Sequence, residues 1–256
     1  MAIIALKAWY LEHYEPIKDI VKRPHDLRLS RNSLLKSGMR ADFLDDAQTI
    51  QESIWFQRYL EGDTIEFYIE GSGGYAISNI DLLSQEIYFT KQDISAWLEA
   101  TVFFSAQNEY PQASEILREA LREFIETFNQ RSRFPLTIEE AQRSTDTTVR
   151  LSDTQLRKIH KSLLFIADGT PIASVGSDRQ SQLILSPNVC LELGYALESK
   201  RSGQILLAQM ERSDLTGRSP FDLPKHEQLS FKTATDLKKT LPSMLKTLLQ
   251  RFHLTA

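Results

Sequence analysis

Residues 163–171 read LLFIADGTP, residues 186–201 read SPNVCLELGYALESKR, and residues 204–209 read QILLAQ. Leu163–Ala167 is a run of five apolar residues, as a strand requires when both faces of its sheet are covered. Ser186-Pro187-Asn188 is helix-start chemistry, with capping side chains around a proline suited to the first turn. A helix over Val189–Lys200 then leads to the next apolar strand, Gln204–Gln209. Strand, helix and strand in that order imply a parallel pair joined by a helical crossover.

Working outward, the same alternation extends in both directions. Thr101–Ser105 (TVFFS) is another short apolar strand. Ala113–Phe128 places Ile116, Leu117, Ala120, Leu121, Phe124 and Phe128 on one helical face. Phe134–Ile138 is a second candidate strand, followed by a polar loop over 139–150. Ser152-Asp153-Thr154 caps a helix over Gln155–Lys161, whose basic end suits the dipole. Leu237–Phe252 closes the chain as an amphipathic helix with Leu241, Leu245, Leu248 and Phe252 on one side. The expected fold class is α/β, a flavodoxin-like parallel sheet with helices on both faces over residues 100–256.

Residues 1–95 read differently, as a small α+β module. Residues 3–10 form a strand, 17–46 are polar and mixed, and Ala47–Leu60 spaces Ile50, Ile54, Trp55 and Tyr59 as in a helix. Ile65, Phe67 and Ile69 then alternate with polar residues as in a strand. Gly71-Ser72-Gly73-Gly74 follows, and a phosphate loop there would need a helix directly after it. Tyr75-Ala76-Ile77 reads as strand instead, so the glycines mark a hairpin turn.

Charge follows the same division. The chain has 256 residues, 30 Lys and Arg against 34 Asp and Glu, and a formal net charge of −4. Residues 1–99 carry 10 basic and 16 acidic side chains, leaving 20 and 18 in the remainder. With no basic excess to engage phosphate backbones, a general nucleic-acid binder is disfavoured. The single cysteine, Cys190, excludes an internal disulfide and a Cys-based zinc site, and reads as a small buried hydrophobe. Five histidines at 13, 25, 160, 226 and 253 lack metal-ligand spacing, so no metal is expected. The N-terminal residues lack a signal-peptide pattern and no apolar run is long enough for a bilayer, which points to a cytoplasmic protein with no membrane contact.

In an open parallel sheet, ligands bind beyond the C-terminal strand ends. Ser105 and Gln107 fall there after one strand, Asp168-Gly169-Thr170 after another, and Ser186 and Asn188 at the start of the next helix. Glu192 follows Asn188 by four residues. A carboxylate near a helix N-terminus, turned toward the strand ends, suits stabilisation of an oxocarbenium-like carbon. Simple support of the helix is the more usual role of such an acid when nothing else is known of its surroundings. Asp168 fits both a diol on a ligand and an Asx turn of its own backbone. Ser186 and Asn188 fit substrate contact and capping together. Tyr195 lies three residues beyond Glu192 and fits a pocket border or packing on the sheet. Phe104 and Tyr110 fit stacking on a planar ligand ring, although Phe104 lies within an apolar strand. His25, Arg28, Arg31, Lys36 and Arg40 form a basic cluster suited to an anionic signal, a partner or a solvated face.

The string Pro187-Asn188-Val189, Glu192-Leu193-Gly194-Tyr195-Ala196, between strands ending at Asp168 and beginning at Gln204, resembles a known arrangement. It looks like the TIR-like nucleotide-binding domains of bacterial defence proteins and, more distantly, nucleoside 2-deoxyribosyltransferases. The likeness covers residues 100–256 and includes Val102–Ser105 as the first strand and its substrate-facing loop. It implies Glu192 as the catalytic residue acting on an N-glycosidic bond. Ser105, Gln107, Asp168, Ser186, Asn188 and Tyr195 would be substrate contacts.

The implied activity is cleavage of the nicotinamide–ribose bond of NAD, with NAD as substrate and no resident cofactor. The resemblance also implies a homo-oligomer activated by assembly, a role in phage defence, and a sensing or assembly role for residues 1–95. Two other expectations stay open. One is nucleoside or nucleotide deoxyribosyl transfer or hydrolysis, and the other is a non-catalytic module binding a nucleotide signal or a partner. The chain departs from the family in a long connection over 168–186 and in a second insert over 210–228.

Overall fold

The computed structural model describes residues 5–30, 33–34, 38–92, 97–142, 152–176, 181–201, 203–252 and 254. These fall into two compact units, Met1–Trp97 and Leu98–Ala256. Ile3 and Ile4 of the first expected strand, Arg31 and Lys36 of the basic cluster, most of the 139–150 loop and His253 lie outside the described residues.

The first unit is built on an antiparallel sheet. Its strands are β1 (Ala5–Tyr10), β2 (Leu27–Ser30), β3 (Ser33–Leu34), β4 (Gly38–Asp42), β5 (Glu66–Ile69), β6 (Gly73–Asp81) and β7 (Glu86–Lys91). They lie in the order β2-β1-β5-β6-β7-β4-β3. The sheet curls back on itself: Leu29 of β2 bridges Phe43 just beyond β4, and the Leu44 N–H donates to the Arg28 carbonyl at 2.9 Å. Closure of this kind removes an exposed edge. The glycine turn joins β5 to β6 as a hairpin, with Gly71 and Gly73 at φ of 67° and 114°.

Among the described residues of this unit, three short α-helices accompany the sheet: α1 (Ile17–Ile20), α2 (Ala47–Gln51) and α3 (Ile54–Leu60). The single helix expected over 47–60 is thus two. Ser53 breaks it by taking extended backbone and accepting the Phe56 N–H on its hydroxyl, which starts α3 afresh. The break turns Ile54 out to solvent and sends Trp55 and Phe56 into the core beside Ile50, Phe67 and Phe89. The segment 17–46, read as merely polar, holds α1 and three strands. Of the basic cluster, Arg28 pairs with Asp45 at 2.8 Å and Arg40 pairs with Glu86.

The second unit has a five-stranded sheet made of β8 (Glu99–Ser105), β9 (Thr137–Glu140), β10 (Ser162–Asp168), β13 (Ile205–Met210) and β14 (Gln228–Phe231). All neighbouring pairs are parallel. Counted along the chain, the order across the sheet reads 2-1-3-4-5, so the winding direction reverses between β8 and β10. Helices α4 (Pro111–Asn129) and α7 (Ala234–Gln250) pack on each other, as do α5 (Asp153–Lys161) and α6 (Pro187–Ser199). Every residue of β10 is buried, so both of its faces are covered. Phe103, Phe165, Ala167, Ile205 and Leu207 share a core with Ile159 of α5 and Val189, Leu193 and Ala196 of α6.

Two sequence expectations change here. Strand β9 begins at Thr137 rather than Phe134 and runs into the expected loop. The insert over 210–228 leads into a fifth strand, β14, which the reading did not contain. Four residues, QLSF, following a Pro-rich stretch carry too little periodicity to announce a strand. The polar stretch 173–185 forms a two-stranded antiparallel hairpin, β11 (Ala173–Val175) with β12 (Gln182–Ile184).

Candidate active site

The reversal between β8 and β10 makes their C-terminal ends the natural crevice of the second unit. Ser105 closes β8 directly beside Ala167, and Asp168 follows on β10. Successive strand residues point to opposite faces. Asp168 meets Ser114 of α4, whereas Ser105 meets Glu192 of α6. The candidate residues therefore form two polar groups, one on each face of the strand ends, rather than one.

The first group centres on Glu192, which has no solvent exposure. One carboxylate oxygen, Oε2, accepts from Ser105 Oγ at 2.5 Å. The other, Oε1, accepts from the side-chain amide of Gln155 in the first turn of α5. Ser105 is also wholly buried, whereas Gln155 is partly exposed. Glu192 lies in the second turn of α6, beyond the first turn in which the helix dipole is felt. Side-chain donors bond both of its oxygens, and the expected place in the first turn is corrected to the second. Asn188, half-buried, shares its helical face at i−4, and Tyr195 at i+3 packs partly buried on the α5–α6 core.

The second group centres on Asp168, also fully buried. Its Oδ2 accepts from Ser114 Oγ at 2.6 Å and its Oδ1 from the Thr170 N–H at 3.0 Å. The Thr170 bond is the Asx arrangement, so both oxygens are held by protein donors. Burial pushes the Asp168 carboxyl above the usual carboxylate range, against the hydrogen bonds from Ser114, Thr170 and Gln107. The Gln107 amide nitrogen donates to the Thr170 carbonyl at 2.9 Å, and the Gln107 N–H donates to Ser114 Oγ at 2.9 Å. Thr170 Oγ1 accepts from the Met210 N–H at 2.9 Å, which ties in the end of β13. This network binds the loops after β8, β10 and β13 to α4.

Ser186 precedes α6 as its N-terminal cap residue, yet its side chain makes no capping bond and its oxygen is buried with no partner among the described residues. Among the described residues the Gln107 side-chain oxygen has no partner either. Phe104 is core, at 0% exposure, and not a ring platform. Tyr110 lies under the Arg212 guanidinium at 4.6 Å, and Arg212 also donates to the Pro171 carbonyl and pairs with Asp214. Cys190 is half-buried, and burial pushes its thiol up. Among the described residues no group of three or more His, Cys, Asp or Glu is placed to hold a metal ion. No described helix is long and apolar enough to cross a membrane.

Gln155, Ser114 and Arg212 are not among the site residues expected from the sequence. Ser152-x-x-Gln155 has the spacing of a capping box, which gives Gln155 a local role that conceals its reach to Glu192. Only the Ser152 half is made as expected, its hydroxyl accepting the Gln155 N–H. Ser114 did carry a signal. It is a hydroxyl on the buried stripe of an otherwise apolar helix face, beside Leu117 and Leu121. Scanning this chain against protein-family models and against curated proteins returned no match in either comparison.

Proposed function

We propose that residues 98–256 form a TIR-like NAD glycohydrolase with Glu192 as its catalytic carboxylate. The strand order 2-1-3-4-5 is that of flavodoxin-like doubly wound sheets and supports the fold half of this reading. The observation that carries the chemical half is the Ser105–Glu192 pair, a buried carboxylate oriented by a strand-end hydroxyl beside the crevice. In the reaction the C1′–N bond breaks and its electron pair neutralises the nicotinamide ring nitrogen. Positive charge then develops on the ribose carbon and ring oxygen, where a fixed carboxylate stabilises it. Water completes ADP-ribose and releases a proton. Ser186, with Asn188 and Tyr195 on the Glu192 side, supplies further substrate contacts in this reading. Asp168 and Gln107 hold the strand ends from the opposite face. Assembly into a homo-oligomer, with residues 1–97 as sensing or assembly unit, and a role in antiviral defence complete the proposal.

The test is nicotinamide release from NAD by purified protein at high concentration, with Glu192→Ala alongside. Release that vanishes in the folded variant supports the reading, and release that persists in it removes Glu192 from the chemistry. One observation favours a second reading, a non-catalytic nucleotide- or partner-binding module: Glu192 is wholly buried with both oxygens bonded to protein. That reading expects saturable nucleotide binding or self-association with no product.

A further inference from the structure

A carboxylate that acts on a sugar must touch it, and Glu192 as described has no exposed surface. Two of its side-chain partners, Ser105 and Gln155, differ in one respect that matters for access. Ser105 is buried completely and belongs to the central sheet, whereas Gln155 is partly exposed and stands in the first turn of a nine-residue helix. Moving Ser105 would disturb β8 between two neighbours. Moving the Gln155 side chain needs only rotation about its own bonds, with the α5 backbone left in place.

We propose that Gln155 is a displaceable cover over Glu192, holding the carboxylate in an inactive, closed arrangement until substrate takes its place. The assignment rests on the reading of Glu192 as the reacting group, and it adds the regulation of that site. The Gln155 amide N–H occupies the Oε1 oxygen, while Ser105 keeps Oε2 and hence the orientation of the carboxylate. Stripping a donor from a buried carboxylate oxygen is unfavourable unless another donor replaces it. The entering substrate must therefore bring one, and a hydroxyl on the carbon next to the reacting one meets that need. The closed form excludes compounds that cannot make the exchange.

Carbodiimide coupling of carboxyl groups to an added amine, read by peptide mass spectrometry, tests the cover without relying on turnover. In the native wild-type protein Glu192 should label slowly. In Gln155→Ala it should label roughly tenfold faster or more, the factor by which loss of a charge-assisted hydrogen bond shifts a local opening. Asp168, equally buried but bonded to α4, serves as the internal reference and should keep its rate. Gln155→Leu, which keeps the bulk and loses the donor, should fall between. Unchanged labelling of Glu192 in Gln155→Ala overturns the proposal, as does an equal rise at Asp168, since that reports general loosening. Nicotinamide release, measured on the same samples, should rise in Gln155→Ala. If no sample releases nicotinamide while Glu192 labelling still rises, the NAD reading fails and the cover stands.

Discussion

Ser105 Oγ and Glu192 Oε2 lie 2.5 Å apart, joining residues 87 positions apart in the chain, and neither has any exposure to solvent. The bond fastens α6 to the end of β8 at the point where the sheet reverses its winding. Ser105→Ala would leave a buried carboxylate oxygen with one donor fewer, at a cost of about 1–3 kcal/mol. Urea unfolding should show the midpoint falling accordingly. In a Glu192→Gln background the same substitution should cost less, because the acceptor is no longer a charged group. Equal costs in the two backgrounds would mean that the hydroxyl contributes only packing.

Gly169, directly after Asp168, is required for a reason unrelated to catalysis. A Cβ there would stand 2.4 Å from Cδ1 and 2.8 Å from Cγ of Leu207, whose side chain is packed in the α5–α6 core. Overpacking of this kind costs roughly 1–3 kcal/mol. Gly169→Ala should be destabilised by that amount, and Leu207→Val should recover part of it by removing Cδ1, the nearer of the two offending carbons. Additive losses in the double variant would show that the clash is relieved elsewhere.

The helices and central strands of the second unit were legible because their signals are local: LLFIA for β10, the Ser-Pro-Asn start of α6, the stripe along α4. Glu192 and Ser105 were legible as residues but not as partners, since nothing local links positions so far apart. Asp168 and Glu192 were read toward one pocket because both follow from the strand-end rule, which is silent on faces. One residue of register sends Ser105 and Asp168 to opposite sides. In the first unit the sheet closure depends on Leu29 meeting Phe43, a pairing no window of sequence contains.

Asp168 carries a pH dependence whose sign is opposite to that of a salt-bridged aspartate. Its folded pKa lies above the ordinary value of 3.8, chiefly through burial, so the folded state holds the proton more tightly than the unfolded chain. Stability from this group is full below 3.8 and is lost as pH rises toward the folded pKa. Asn can keep the Thr170 bond and donate to Ser114, whose hydroxyl then turns to the Gln107 carbonyl 3.2 Å away. Asp168→Asn should therefore gain on the wild type as pH climbs from 4 to neutrality, in unfolding midpoints measured across that range. A constant difference over the range would show that burial does not shift this carboxyl.

Lys200 gives the complementary case at the other end of β10. It is 8% exposed, and its ammonium donates to the carbonyls of His160, at 3.1 Å, and Ser162. Burial lowers its pKa to about 7 from 10.5. Between those two values the unfolded chain binds more protons than the folded one, so stability rises with pH across that window. Below about 7 the full cost of burying the charge is present, on the order of a few kcal/mol. Lys200→Met removes the charge and keeps the length of the side chain, while leaving two carbonyls without their donor, at about 1 kcal/mol or more each. The variant should match or exceed the wild type in urea midpoint at pH 6. It should lose that standing by pH 10, where the wild-type amine is neutral and still donates. A wild-type midpoint that fails to rise between pH 7 and 10, relative to the variant, would place the Lys200 charge in contact with water rather than within the fold.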